Sequence, residues 1–183
     1  MPLIILNGTS SSGKSSVAKS IQKIMNAPVL HASIDDFRCM LDWDFVQDKE
    51  RQKCFDLTAR IFYESLAVMA SDGFLVIADT VYGKHEWYER SLEILKEYLF
   101  IVVGVRCPLE VAEERERNRG DRVIGLARHQ FDRVHQRKQY DLEVDTSELS
   151  GDECAELILE ALNRKIANND LQDNLHRSRS GGA

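Results

Sequence analysis

The chain has 183 residues, 43% hydrophobic and 30% charged, with only three prolines and ten glycines. That is enough for one domain with a full core, and the composition is that of an ordinary globular protein. A net charge of −6 argues against a protein that coats nucleic acid or an anionic membrane. No apolar run approaches the roughly 18 residues of a membrane span, and no basic segment precedes the first apolar stretch, so a cytoplasmic protein is the expectation.

The apolar run Leu3–Leu6 reads as a strand buried on both faces. A Gly- and Ser-rich loop follows, and then Val17, Ala18, Ile21, Ile24 and Met25 recur at helical spacing. A second strand, Val29–Ile34, ends in Asp35-Asp36. Beyond it lies a long helical pattern with Cys54, Leu57, Ile61, Leu66 and Met69 on roughly one face, stopped by Asp72-Gly73. The third buried strand, Phe74–Asp79, again ends in an acid. A helix around Glu86–Lys96 leads to the fourth strand, Leu99–Val105. Pro108 opens another helix that runs through Arg117. The Asn118–Gly125 segment breaks it, a short helix reaches about His135, and Leu142–Thr146 is a shorter fifth strand. Ser150 and Glu153 have the spacing of a capping box for a last helix whose Leu157, Ile158, Ala161 and Leu162 face inward. From about Asn168 the chain is polar and aperiodic. Residues 1–167 are therefore expected to form a single α/β domain, a parallel sheet covered on both faces, and residues 168–183 a disordered tail.

Cys39, Cys54, Cys107 and Cys154 are far apart and form no Cys-x-x-Cys pair, so they read as reduced and mostly buried small hydrophobes. His85 begins a His-Glu motif that lacks its second histidine, so no zinc site is expected.

The loop Gly8-Thr9-Ser10-Ser11-Ser12-Gly13-Lys14-Ser15-Ser16 satisfies G-x-x-x-x-G-K-[ST] between a buried strand and an amphipathic helix. Its glycines let successive backbone N–H groups turn inward toward phosphate oxygens, and the helix adds its positive end. Lys14 is a point charge for the terminal phosphates, and the Ser15 hydroxyl is a ligand for Mg2+. No N-K-x-D element for guanine is present, so ATP is the expected nucleotide. A kinase on this plan needs a carboxylate to take the acceptor's proton, and the strand ends offer three: Asp35, Asp36 and Asp79. Asp35 is the candidate base, and Asp36 its neighbour or a helix cap. Asp79 is placed to hold Mg2+, directly or through water, or to bind acceptor hydroxyls. Arg115, Arg117, Arg119 and Arg122 crowd around Gly120, as in a lid closing on phosphates, with Arg119 and Arg122 favoured as catalytic. The aromatics after the second and third strands, Phe37 and Tyr82 among them, are candidates for an acceptor pocket.

Together, "IILNGTSSSGKSS", "SIDDF", "VGVRCPLEVAEERERNRGDRVIGLARHQFDRVH" and "YDLEVDTS" resemble the chloramphenicol phosphotransferase family over about Leu3–Ile166. The resemblance implies a P-loop kinase fold with a five-stranded parallel sheet in the order 2-3-1-4-5. It also implies ATP-dependent phosphorylation of a hydroxyl on a small organic molecule, in the founding case the antibiotic itself. The family's catalytic aspartate falls on Asp35, its loop on Gly8–Ser16, its R-G-D-R on Arg119–Arg122 and its third-strand acid on Asp79. The stretch from Phe37 to about Lys53, and Thr80–Trp87, depart from the family pattern in the region that shapes the acceptor pocket. Two other readings fit the same residues: a kinase of a macromolecule or nucleotide-sugar, and a non-catalytic ATP-binding regulator.

Overall fold

The computed structural model describes residues 2–119 and 124–180, with side chains as far as residue 171. Five strands form one parallel sheet: β1 (Leu3–Asn7), β2 (Val29–Ser33), β3 (Leu75–Thr80), β4 (Phe100–Arg106) and β5 (Leu142–Asp145), in the spatial order β2-β3-β1-β4-β5. β1 is central, with Leu6 beside Asp79 on β3 and beside Val103 on β4. Successive parallel strands need crossovers, which α1 (Lys14–Met25), α2 (Ile34–Arg38), α3 (Asp48–Ser71), α4 (His85–Leu95), α5 (Leu109–Arg119) and α6 (Leu126–Val134) supply, and α7 (Gly151–Ser180) follows β5.

Alternation along the strands divides the core in two. Leu3 and Ile5 of β1, with Val76, Ala78 and Val102, face Ala59, Phe62, Tyr63 and Leu66 of α3 and Leu95 of α4. Ile4 and Leu6, with Ile77, Ile101 and Val103, face Val17, Ala18 and Ile21 of α1 and Cys154, Ala155, Ile158 and Leu162 of α7. The result is three layers, and every described residue of β1 is buried.

Two of the expected faces are corrected. The buried row of α3 is Thr58, Ala59, Phe62, Tyr63, Leu66 and Ala70, whereas Leu57 and Ile61 are each 39% exposed. One residue is a 100° turn of the helix, and the aromatic pair Phe62 and Tyr63 claims the sheet-facing side. Leu157 of α7 is likewise exposed, one step round from the buried Ile158. The capping box is present: Ser150 N–H donates to Glu153 Oε2 at 2.8 Å, and Glu153 N–H donates to Ser150 Oγ at 3.2 Å. α7 also runs further than its apolar pattern, because its backbone stays helical to Ser180 through the segment from residue 168. Extending a helix already nucleated on the sheet adds a hydrogen bond per residue without a second nucleation cost. Of the cysteines, Cys107 and Cys154 are buried, Cys54 is half-buried and Cys39 is exposed; all four are free. No described helix is long and apolar enough to cross a membrane.

Candidate active site

At the carboxyl end of β1 the chain turns sharply into the glycine loop. Gly8 is required by contact: a Cβ there would lie 2.3 Å from the Val105 carbonyl oxygen of β4. Gly13 adopts φ 93°, the left-handed region, immediately before α1. Between them Thr9, Ser10, Ser11 and Ser12 are buried. The hydroxyls of Ser10, Ser11 and Ser12 have no hydrogen-bond partner, although buried polar atoms are nearly always satisfied. Three unspent hydroxyls in a loop at a helix N-terminus fit a polyanion as the missing partner.

Lys14 is buried and curls back over the loop, its Nζ donating to the Gly8 and Thr9 carbonyls at 3.1 and 2.8 Å. It also lies 3.7 Å from Asp79 Oδ1. The register of β1 and β3 brings Asp79 beside this loop, where its Oδ2 accepts from Ser15 Oγ at 2.7 Å. His31 Nε2, on the neighbouring strand β2, is 3.7 Å from the same carboxylate, and that nitrogen is buried without a hydrogen-bond partner. Burial pushes the Asp79 carboxyl up, but the Lys14 charge, then His31 and the Ser15 hydroxyl, outweigh it and hold Asp79 below the ordinary carboxylate range. Ser15 and Asp79 are two hard oxygen donors side by side, a set that fits Mg2+, which keeps most of its shell for water and phosphate.

Asp35 occupies the first turn of α2. The helix is capped by Ser33, whose Oγ accepts from Asp35 N–H at 3.3 Å, so the cap does not fall to either aspartate. Asp35 Oδ1 accepts from Arg38 Nη1 at 3.2 Å. A cavity of about 590 Å³ brings Asp35 together with Ser10, Ser11, Gly13, Lys14, Ser15, Ser16, Asp79 and Val81. Its other wall is made of Arg115, Asn118 and Arg119 of α5, Leu126 and Gln130 of α6, and Thr146, Leu149, Ser150 and Gly151 after β5.

Residues from distant parts of the chain brace the loop. Thr146 Oγ1 donates to the Ser12 carbonyl at 2.8 Å, and Arg115 donates to Thr146 Oγ1 and O at 2.9 and 2.8 Å. Asn7, the last residue of β1, donates from Nδ2 to the Val134 carbonyl at 2.9 Å and to the Tyr140 hydroxyl at 2.7 Å. Its Oδ1 accepts from Tyr82 N–H at 2.9 Å. The Tyr140 hydroxyl is also 2.8 Å from His135 Nδ1. Burial, reinforced by the Arg106 charge, lowers the His135 imidazole to about 4.

The sequence profile of the family described as chloramphenicol phosphotransferase-like protein matches residues 1–163. The chain belongs to this family. Two Mycobacterium tuberculosis proteins provisionally named O-phosphotransferases are each 30% identical to it, over 79% of this chain and 75% of theirs. Among solved structures, the Mycobacterium tuberculosis APS kinase in complex with AMPPNP and APS aligns with TM-score 0.68 at 20% identity, covering 88% of this chain and 97% of that one. A gluconokinase from Sinorhizobium meliloti aligns with TM-score 0.63 at 19% identity, covering 93% and 97%. The shikimate kinase of Acinetobacter baumannii aligns with TM-score 0.61 at 20% identity, covering 92% and 94%. The fold is thus that of the P-loop kinases, and this member of the chloramphenicol phosphotransferase-like family is a phosphotransferase.

Within that family frame, the residues singled out in the sequence divide clearly. Lys14, Ser15, Asp35, Asp79 and Arg119 line one cavity. Gly8, Thr9 and Ser12 shape the loop behind it. Asp36 is exposed, and Phe37 packs edge-on against Phe62 with ring centroids 5.2 Å apart. Tyr82 is fully buried, its hydroxyl 2.6 Å from Ser91 Oγ. These last three lie outside the cavity: Asp36 and Phe37 because successive side chains of α2 turn about 100° apart, and Tyr82, in the turn after β3, because its ring packs into the core between Tyr63 and Tyr88. Arg122 lies outside the described residues. The sequence reading missed Gln130, Thr146 and Asn7, each an isolated polar residue whose contact lies far away along the chain, and it placed Arg115 among the lid arginines, whereas Arg115 bonds Thr146.

Proposed function

We propose that this protein transfers the γ-phosphoryl group of ATP to a hydroxyl of a small organic molecule, with Mg2+, in the cytoplasm. The observation that carries this is the single cavity uniting the phosphate loop, through Lys14 and Ser15, with the strand-end carboxylates Asp79 and Asp35.

In this reading the triphosphate lies along the loop amides and the hydroxyls of Ser10, Ser11 and Ser12, with Lys14 against its terminal phosphates. Arg115, Thr146 and Leu149 form the wall beyond the loop. Ser15 and Asp79 would hold Mg2+, which supplies charge neutralisation on the phosphates. Asp35 takes the proton of the acceptor hydroxyl as its oxygen attacks phosphorus, and the bond to the leaving ADP oxygen breaks. Arg38 orients the Asp35 carboxylate for that step. Arg119, and Arg122 as implied by the family pattern, add positive charge where it builds on the transferring group.

The test is a screen of hydroxyl compounds, chloramphenicol included, for ATP-dependent phosphorylation, with Asp35→Asn as control. Loss of the base should lower transfer about 100-fold or more while ATP binding persists. Transfer by Asp35→Asn at the wild-type rate would overturn the assignment of the base.

A further inference from the structure

Gln130 reaches the phosphate loop from α6. Its Oε1 accepts from Ser10 N–H at 2.7 Å, and the side chain lines the cavity. A backbone N–H can only donate, so this contact fixes which end of the carboxamide meets the loop. With the oxygen on Ser10, the end left over for the cavity is Nε2, a donor with two hydrogens. The helix that carries it is independently anchored. Val134 O accepts from Asn7 Nδ2, and the buried Glu116 carboxylate accepts from Gly125 N–H at 2.7 Å and Ala127 N–H at 2.9 Å. These contacts hold α6 without Gln130, and the buried hydroxyls of Ser10 to Ser12 beside it have no hydrogen-bond partner.

We propose that Gln130 is a phosphate-binding residue, its Nε2 donating to an oxygen of the triphosphate while Ser10 N–H locks the carboxamide in the donating orientation. This rests on the nucleotide reading above. It differs in kind from a bracing role, and the two roles order the variants oppositely. If Gln130 only braced the loop, Gln130→Glu would keep an acceptor for Ser10 N–H and be the milder change, with Gln130→Ala the harsher. If Nε2 donates to phosphate, Gln130→Glu sets a negative oxygen where the donor was and is the harsher.

The experiment is calorimetric titration of wild type, Gln130→Ala and Gln130→Glu with ATP in magnesium buffer, each checked by thermal melting. Gln130→Ala should weaken ATP about three- to tenfold, and Gln130→Glu about tenfold further, the size expected for losing and then reversing a charge-assisted hydrogen bond. In the wild type, the Gln130 side-chain Nε2–H resonances, assigned by their loss in Gln130→Ala, should move when ATP is added. Gln130→Glu binding ATP as tightly as Gln130→Ala, or unmoved Nε2–H signals, would overturn the proposal and leave the nucleotide reading standing. Wild-type protein that fails to bind ATP would overturn both.

Discussion

His135 sits where burial and the nearby Arg106 guanidinium both disfavour its charge, so its imidazole titrates near 4 in the folded protein. In the unfolded chain it titrates near 6.5. Between those values the unfolded state binds a proton that the folded state does not, so this residue costs stability as pH falls from about 6.5 toward 4, and no more below that. His135→Asn keeps a polar partner for Tyr140 without the titration. It should flatten the slope of melting temperature against pH across this window, and equal slopes in the two proteins would show that His135 is not the source. At the same scale, the strand-end acids were readable because an acid after a buried run is conspicuous. What composition could not supply is that Asp79 is held by Lys14 and Ser15, whereas Asp36 points to solvent.

The elements were legible to within a residue or two wherever an apolar run or a cap marked them, as with β1 and the Ser150–Glu153 box. α3 shows where periodicity misleads. Its apolar residues are spread widely enough that two neighbouring rows compete, and the sheet takes the row with the larger aromatics. Phe62→Ala should therefore cost about 3–5 kcal/mol, as expected for emptying a buried aromatic site. Ile61→Ala, one step round, should cost about 1 kcal/mol or less. Denaturant unfolding of both variants gives the comparison, and equal losses would restore the face read from spacing. The long-range contacts of the loop were not legible at all. Gln130 meets Ser10, and Thr146, held by Arg115, meets Ser12, only after the crossovers have brought β5, α5 and α6 to the end of β1, and no local pattern encodes that.

At the scale of the molecule, the strand order places β1 between two halves. On one side, α2 after β2 carries Asp35 and β3 carries Asp79, while the helices and turn after β4 and β5 carry Arg115, Gln130 and Thr146. Asn7 is bonded to both: its Oδ1 holds the turn after β3 through Tyr82 N–H, and its Nδ2 holds α6 and Tyr140. In the proposed function, one side chain thus joins the half facing the acceptor to the half enclosing the nucleotide. The consequence of that reading is thermodynamic synergy between the two substrates. Occupancy on either side should tighten the other, and by linkage the factor must be the same in both directions. Once an acceptor is known, titrating each substrate in the presence and absence of the other should give a factor above one in the wild type and close to one in Asn7→Ala. Equal factors in the two proteins would mean that communication across this sheet does not run through its central strand.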